Sequence, residues 1–249
     1  MTEFAHDNIK PFATEGGKKE QVSEMFDCIA ERYDFMNRIL SAGVDRGCRK
    51  KSILEFKEDK PQHMLDVATG TGDMAIRAAR MLKPNQVTGI DISPKMLQIG
   101  RKKIEEAGLT TIIQLLDGDS ETIKFADNSF DAVMVAFGVR NFENLEVGLQ
   151  EILRVMKPGA KLVVLEFSKP NIVGLKGLYY WYMGKIAPRI ARLFKQNKKA
   201  YEYLNESAKA FPDRQQFVDI LNRTGYSDTL FKSLTLGICC IYCGRKPQG

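Results

Sequence analysis

The sequence is poor in histidine, offers no even set of cysteines to pair, and has no long apolar run. Only two histidines occur in 249 residues, His6 in a polar N-terminal stretch and His63 just ahead of the first apolar strand pattern. A histidine general base is therefore not expected. The five cysteines are an odd count, which argues against a disulfide framework and fits a reducing compartment. Cys240 and Cys243 form a lone CxxC, but zinc would need a second ligand pair, and Thr235 to Cys243 reads as an apolar core strand. No stretch of about 18 uninterrupted apolar residues exists. The best candidate, Asn171 to Phe194, is broken by Lys176, Lys185, Pro188, Arg189 and Arg192. Met1 to Glu20 has neither the apolar centre of a secretory leader nor the acid-free, Arg-rich character of a transit peptide, so a cytoplasmic address is expected. Low-complexity tracts and internal repeats are also absent, which excludes fibrous and disordered architectures.

What is present suits one large core. Hydrophobic residues make up 44% of the chain and charged residues 27%. The excess of 37 basic over 31 acidic residues gives +6, a balance compatible with nucleic acid, an anionic membrane surface or a basic solvated exterior. No basic stripe interleaved with stacking aromatics accompanies the pocket motifs below, so nucleic acid is not expected as a partner.

Apolar positions at helical spacing (Val22, Met25, Phe26, Ile29, then Met36, Ile39, Leu40) predict an N-terminal helical cap over Glu20 to Phe56. From Met64 strands and helices alternate. Strands are expected at Met64–Ala68, Val87–Ile92, Thr111–Leu116, Phe130–Phe137 and Lys161–Phe167, with two closing strands near Asp228–Phe231 and Leu236–Tyr242. Helices are expected at Met74–Leu82, Pro94 to about Ala107, Leu145–Met156 and Arg214–Thr224. Such alternation implies an α/β fold with a mostly parallel sheet covered on both faces. Lys157-Pro158-Gly159 reads as a stop between helix and strand. The expected organisation is a cap over residues 1–57 and a catalytic domain over 58–249, with a helical insert at about 171–212, all in one structural unit.

The turn Leu65-Asp66-Val67-Ala68-Thr69-Gly70-Thr71-Gly72-Asp73 joins the first strand to the first helix of this alternation. Its glycines allow close backbone approach to a ligand, and in doubly wound sheets such a turn is the pocket floor. Gly70, Gly72 and Ala75 also satisfy the dinucleotide pattern, with Asp91 where a ribose-binding acid should stand. Charge separates the two readings. Asp73 would sit at the helix N-terminus where a dinucleotide places its pyrophosphate, setting anion against anion. S-adenosyl-L-methionine carries a sulfonium and an ammonium and no phosphate. Asp66 and Asp73 are expected to suit that cationic end, and Asp91 its ribose hydroxyls. Helix capping alone is the competing explanation for one acid at a helix start, but not for three at strand ends. Asp117-Gly118-Asp119-Ser120 would bring an acid and a hydroxyl beside the adenine, with an Asx turn as the plainer alternative.

Further segments carry a resemblance. They are Tyr33-Asp34-Phe35-Met36-Asn37 with Ser41, Gly43 and Arg46, then Phe125-Ala126-Asp127-Asn128-Ser129-Phe130-Asp131 and Phe137-Gly138-Val139-Arg140-Asn141. Arg154-Val155-Met156-Lys157-Pro158-Gly159 and Leu165-Glu166-Phe167-Ser168-Lys169-Pro170 follow. In this order the sequence resembles the ubiquinone and menaquinone biosynthesis methyltransferase family from about Val22 to Lys246. The resemblance implies a Rossmann-like class I fold dependent on S-adenosyl-L-methionine, with a seven-stranded sheet. It also implies methyl transfer to a ring carbon of a polyprenyl quinol, most generally demethylmenaquinol giving menaquinol. Methylation of a polyprenyl methoxybenzoquinol, of RNA or of another small molecule remains an alternative, as does cofactor binding without catalysis. By motif, Thr71, Asp91 and Asp119 with Ser120 carry over as cofactor residues, and the glycine turn itself adds Gly70, Gly72 and Asp66. Asp45 and Cys48 stand where many relatives have His and Trp, and Ala136 where some have Ser.

Carbon methylation needs an electron-rich ring, which a quinol supplies once a hydroxyl loses its proton. Arg140 and Asn141 follow the fourth strand, where substrate should lie. Arg140 is expected to hold the quinolate oxygen or a water acting as base, with Tyr33 and Asp34 closing the pocket from the cap. A surface ion pair for Arg140 and simple packing for Tyr33 are the alternatives. Tyr179 to Tyr182, followed by Lys185, Arg189, Arg192, Lys195, Lys198 and Lys199, suits either an interfacial helix at the inner membrane face or a helical lid or homodimer surface.

Overall fold

The computed structural model describes residues 4–12, 15–41, 43–169 and 198–248. The apolar stretch Asn171–Phe194 and the aromatic and basic residues of the expected insert lie outside them, except Lys198 and Lys199, which open a helix. Two helices form the cap, α1 (Lys18–Leu40) and α2 (Val44–Leu54), parted at Gly43, whose φ of 77° suits a residue without Cβ. Then come β1 (His63–Val67), α3 (Asp73–Leu82), β2 (Gln86–Asp91), α4 (Pro94–Glu106), β3 (Ile113–Asp117), β4 (Phe130–Ala136), α5 (Leu145–Val155) and β5 (Met156–Phe167). The chain closes with α6 (Lys198–Ala210), α7 (Gln215–Arg223), β6 (Ser227–Leu234) and β7 (Cys239–Arg245). Among the described residues no helix is long and apolar enough to cross a membrane.

The seven strands lie in the order β3-β2-β1-β4-β5-β7-β6. β1 to β5 pair in parallel, while β7 runs antiparallel to both β5 and β6. Strand order reverses beside β1, so the carboxyl ends of β1 and β4 diverge into a crevice.

Alternation along each central strand divides the core into two layers. Leu65, Val67, Val133, Val135, Leu162 and Val164 face α5 and α7, which add Leu149, Ile152, Phe217 and Leu221. Met64, Ala132, Met134, Val163 and Leu165 face the other way, toward α2 and α3, meeting Ile53, Met74 and Ala78. Each such aliphatic side chain contributes about 1.5–3 kcal/mol when fully buried. Ser93 caps α4 by accepting from the Met96 N–H at 3.3 Å ahead of Pro94, as the Ser-Pro signal implies.

Two expectations need correction. Helix α5 ends at Val155, and β5 begins at once with Met156. Lys157-Pro158-Gly159 therefore lies inside the strand, where Gly159 takes φ 77° and the register to β4 shifts between Phe130 and Ala132. Proline and glycine here make a bulge instead of a stop, because Met156 and Lys161 on either side pair with β4 and the Gly159 N–H is taken by the Lys246 carbonyl just past β7. The last strand starts at Cys239, not Leu236, since Thr235–Gly237 forms a tight turn with Leu236 left-handed. Cys240 and Cys243 do sit in that strand, buried, and all five cysteines are free thiols. His6, within its polar N-terminal stretch, is fully buried, stacked on Phe4 and edge-on to Phe211. Burial, then the nearby Lys18 charge, depress its pKa to about 3.

Where β1 and β4 diverge, the chain after β4 passes close to the turn after β1. A Cβ on Gly138 would stand 2.7 Å from the Ala68 Cβ and 3.2 Å from Val135. Gly138→Ala is expected to cost about 1–3 kcal/mol by forcing the two strand ends apart. Urea unfolding measures it, and a midpoint equal to that of the unaltered chain would refute the close approach.

Candidate functional site

The crevice outside β1, β2, β3 and β4 holds a cleft of about 660 Å³. Ala68 and Gly70 come from the turn after β1, and Asp91 and Ile92 from the end of β2. Gly118, Asp119, Ser120 and Glu121 follow β3, while Ala136, Phe137, Gly138, Asn141, Phe142 and Glu143 follow β4. Helix α1 forms the remaining wall with Lys19, Val22, Phe26 and Tyr33. The helix is pinned there because the carboxyl ends of the strands leave polar groups unfilled. Ser23 Oγ donates to the Ile92 carbonyl at 2.8 Å, Lys19 Nζ reaches Asp119 Oδ2 at 2.6 Å, and Asp27 Oδ1 accepts from Ser93 Oγ at 2.6 Å. Beneath these contacts Val22, Met25, Ile29 and Ala30 pack on Met96, Ala200 and Tyr203, so α6 completes the roof.

Six of the residues expected at the site line the cleft: Tyr33, Gly70, Asp91, Asp119, Ser120 and Asn141. Asp91 Oδ2 accepts the Gly70 N–H at 2.8 Å and Oδ1 the Ser93 N–H at 2.9 Å. A carboxylate has about four lone-pair sites, so these amides leave it acceptor capacity, and Asp91 lines the cleft. Burial raises its pKa to about 6, against the downward pull of the Ser93 and Gly70 amides. Asp119 is shared between Lys19 and the Glu121 N–H. Tyr33 stands edge-on to Phe26, its centroid 5.8 Å away.

Five other expected residues lie behind the walls. Asp34 and Thr71 meet each other, the Thr71 hydroxyl donating to Asp34 Oδ1 at 2.7 Å. Lys103 of α4 joins them, donating to Asp34 at 2.6 Å, Thr71 at 3.0 Å and Asp73 at 2.5 Å. All three ammonium protons are thereby used. Burial works to raise the Asp73 pKa, but the Lys103 charge and hydrogen bond, with the Arg49 and Arg77 charges, together hold the carboxyl below the usual range. Asp66 is buried, accepts the Thr69 hydroxyl at 2.6 Å, and is pushed by burial to about 7. Gly72, with φ 76°, starts α3. The expectation that Asp66 and Asp73 face a cationic ligand is therefore corrected. Among the described residues the carboxylates lining the cleft are Asp91, Asp119, Glu121 and Glu143, against the single ammonium of Lys19. The cleft remains acidic, through different residues.

Arg140 is the fifth. It is 2% exposed, and its Nη1 donates to the Phe137 carbonyl and to Glu166 Oε1, both at 2.7 Å. Glu166 is fully buried, and burial lifts its pKa despite the Arg140 charge. Arg140 Nε and Glu166 Oε2 find no hydrogen-bond partner among the described residues. The ion pair that was the plainer alternative for Arg140 thus exists, but in the interior. Glu166 had a visible signal, an acid amid an apolar strand, since a carboxylate there demands a buried partner. Lys103, Lys19 and Tyr203 gave none, because each is an ordinary helix residue until tertiary packing aims it.

A cationic, phosphate-free nucleoside fits this donor set. Glycine at 118 lets the chain run tight against Ile90, where a Cβ would stand 3.0 Å from the Ile90 Cβ. Asp91 and Asp119 present acceptors, and Lys103, the cation nearest the turn after β1, is already committed to Asp34, Thr71 and Asp73.

Comparison with known proteins agrees with this geometry. The family model described as the ubiE/COQ5 methyltransferase family matches residues 14–246. A demethylmenaquinone methyltransferase of Bacteroides fragilis is 43% identical over 243 residues, covering 98% of this chain and 99% of that protein. One from Porphyromonas gingivalis is 41% identical, covering 96% and 98%. Among solved structures, a SAM-dependent methyltransferase of Thermotoga maritima superposes with a TM-score of 0.61 at 18% identity, covering 90% of this chain and 99% of that one, a likeness of fold. An acidic cleft at the switch point of a 3-2-1-4-5-7-6 sheet and a full-length sequence match agree: the chain belongs to the ubiE/COQ5 methyltransferase family.

Proposed function

We propose that this chain transfers a methyl group from S-adenosyl-L-methionine to a ring carbon of a polyprenyl quinol, with demethylmenaquinol as the acceptor. The observation that carries the reading is a cleft with two kinds of wall. Carboxylates and the Ser120 hydroxyl lie along the ends of β2 and β3, while Phe26, Tyr33, Phe137 and Phe142 lie along α1 and the end of β4. The first wall suits a cationic nucleoside and the second a flat aromatic ring.

When bound, the cofactor supplies an electrophilic methyl group. Asp91 accepts from ribose hydroxyls, and Asp119 with Ser120 meets the base. Helix α1 closes over the cleft and keeps water from the reacting carbon. Asn141 donates to a ring oxygen of the acceptor. Arg140, one layer behind, keeps its positive charge and favours negative charge on that oxygen, while Glu166 balances it in the absence of substrate. Neither histidine lines the cleft, so the quinol proton leaves through water or a lining acid or phenol. The reading extends to a cytoplasmic protein that meets its lipid-soluble acceptor at the inner membrane face through residues 171–199.

The test is mass spectrometry of reactions with a 2-prenyl-1,4-naphthoquinone, before and after reduction. The expected result is a product heavier by one methylene from the quinol and none from the quinone, whose ring is electron-poor. Methylation of the quinone, or of RNA alone, would overturn the proposal.

A further inference from the structure

Helix α6 belongs to no recognised motif, yet one of its side chains reaches the acceptor wall. Tyr203 is 2% exposed, packed with Met25 and Met96, and its phenol donates to Asn141 Oδ1 at 3.1 Å. Asn141 itself lines the cleft. We propose that Tyr203 is a positioning residue: it holds the Asn141 amide with its carbonyl toward α6, so that the NH2 end is presented to the quinol oxygen. This rests on the functional reading above and assigns the donor within it.

A side-chain amide has an acceptor end and a donor end, and its neighbours decide which end faces where. A phenol enclosed by apolar groups keeps its proton. Burial pushes the Tyr203 pKa well above the usual range, against the pull of the Arg140 charge. Tyr203 is therefore a donor at any working pH, and the amide carbonyl satisfies it. The reverse orientation would leave the phenol O–H buried and unpaired, which costs more than a normal hydrogen bond gains. Arg140, one residue earlier, does not supply the direct donor, because its Nη1 is already held by Phe137 and Glu166 and it does not line the cleft. The short turn Val139–Asn141 thus divides the work, with the charge inward and the neutral donor outward.

The experiment uses the full chain with S-adenosyl-L-methionine and a reduced 2-prenyl-1,4-naphthoquinone. Tyr203→Phe is expected to lower kcat about tenfold and to leave the KM for the cofactor unchanged, on the scale of a misplaced transition-state donor. Asn141→Asp keeps an acceptor for Tyr203 but loses the NH2, and it should fall at least as far. In an Asn141→Asp background, Tyr203→Phe should cause no further loss. Full kcat in Tyr203→Phe or in Asn141→Asp, or losses that multiply in the double variant, would overturn the inference. Circular dichroism of each variant separates unfolding from a change in turnover. If the unaltered chain fails to methylate the quinol, the functional reading falls and this inference with it. Normal turnover with multiplying losses removes only the role of Tyr203.

Discussion

Arg140→Ala should lose about 3–5 kcal/mol of stability before any effect on chemistry is read, because it leaves the Glu166 carboxylate buried without its counter-charge. At roughly 2–4 °C per kcal/mol for a chain of this size, the Tm should fall by about 6–20 °C. The sign of the pH dependence follows from Glu166. Burial already raises its pKa, and without Arg140 it rises further. Below that pKa the group is neutral and the penalty disappears, so the loss should shrink as pH falls and grow as pH rises. Arg140→Met with Glu166→Gln removes both charges and should recover most of the Tm. If that double variant is folded yet inactive, the positive charge behind Asn141 matters to methyl transfer. A single Arg140→Ala with an unchanged Tm would refute the buried-pair account.

Removing the charge of Asp91 should reduce cofactor affinity more than any other single change at the cleft. Asp91→Asn exchanges hydrogen bonds to an ionised acceptor, each contributing about 1.5–3 kcal/mol, for weaker neutral ones. A fall of at least about tenfold in affinity for S-adenosylhomocysteine is expected by calorimetry, since about 1.4 kcal/mol is tenfold. The unaltered protein carries the same experiment in its pH profile. With a folded pKa of about 6, Asp91 is ionised above pH 7, where affinity should be flat, and it protonates as pH falls through 6. Below that point affinity should fall and level off near that of Asp91→Asn, at least about tenfold lower. The stability of the ligand-free protein has the opposite sign. Because burial raises this carboxyl, its contribution to stability is present below the unfolded pKa near 4 and is lost as pH rises through 6. Affinity indifferent to both pH and Asp91→Asn would remove Asp91 from the site.

Much of this architecture was legible along the chain because its signals are local. Val67, Asp91 and Asp117 end parallel strands, each followed by turn residues at the cleft, and those turns can be read from alternation and glycine spacing. The Lys-Pro-Gly bulge in β5 was not legible, since propensity argues for a stop and only the pairing of Met156 and Lys161 with the distant strand β4 overrules it. Asp73 shows the same limit at the site. Its position at a helix start is local, but its alignment with Lys103, 30 residues away, is not.

The order of residues alone determined the alternation of strands and helices, the acid at the end of β2, and the family. Each follows from side-chain periodicity or from contiguous motifs, which act over a few residues. Tertiary structure decided which carboxylates line the cleft, that Arg140 is spent on Glu166, and that Tyr203 stands behind Asn141. Those outcomes depend on where distant segments cross, and a charged side chain in a crowded interior goes wherever the fold brings its counter-charge or hydrogen-bond partner.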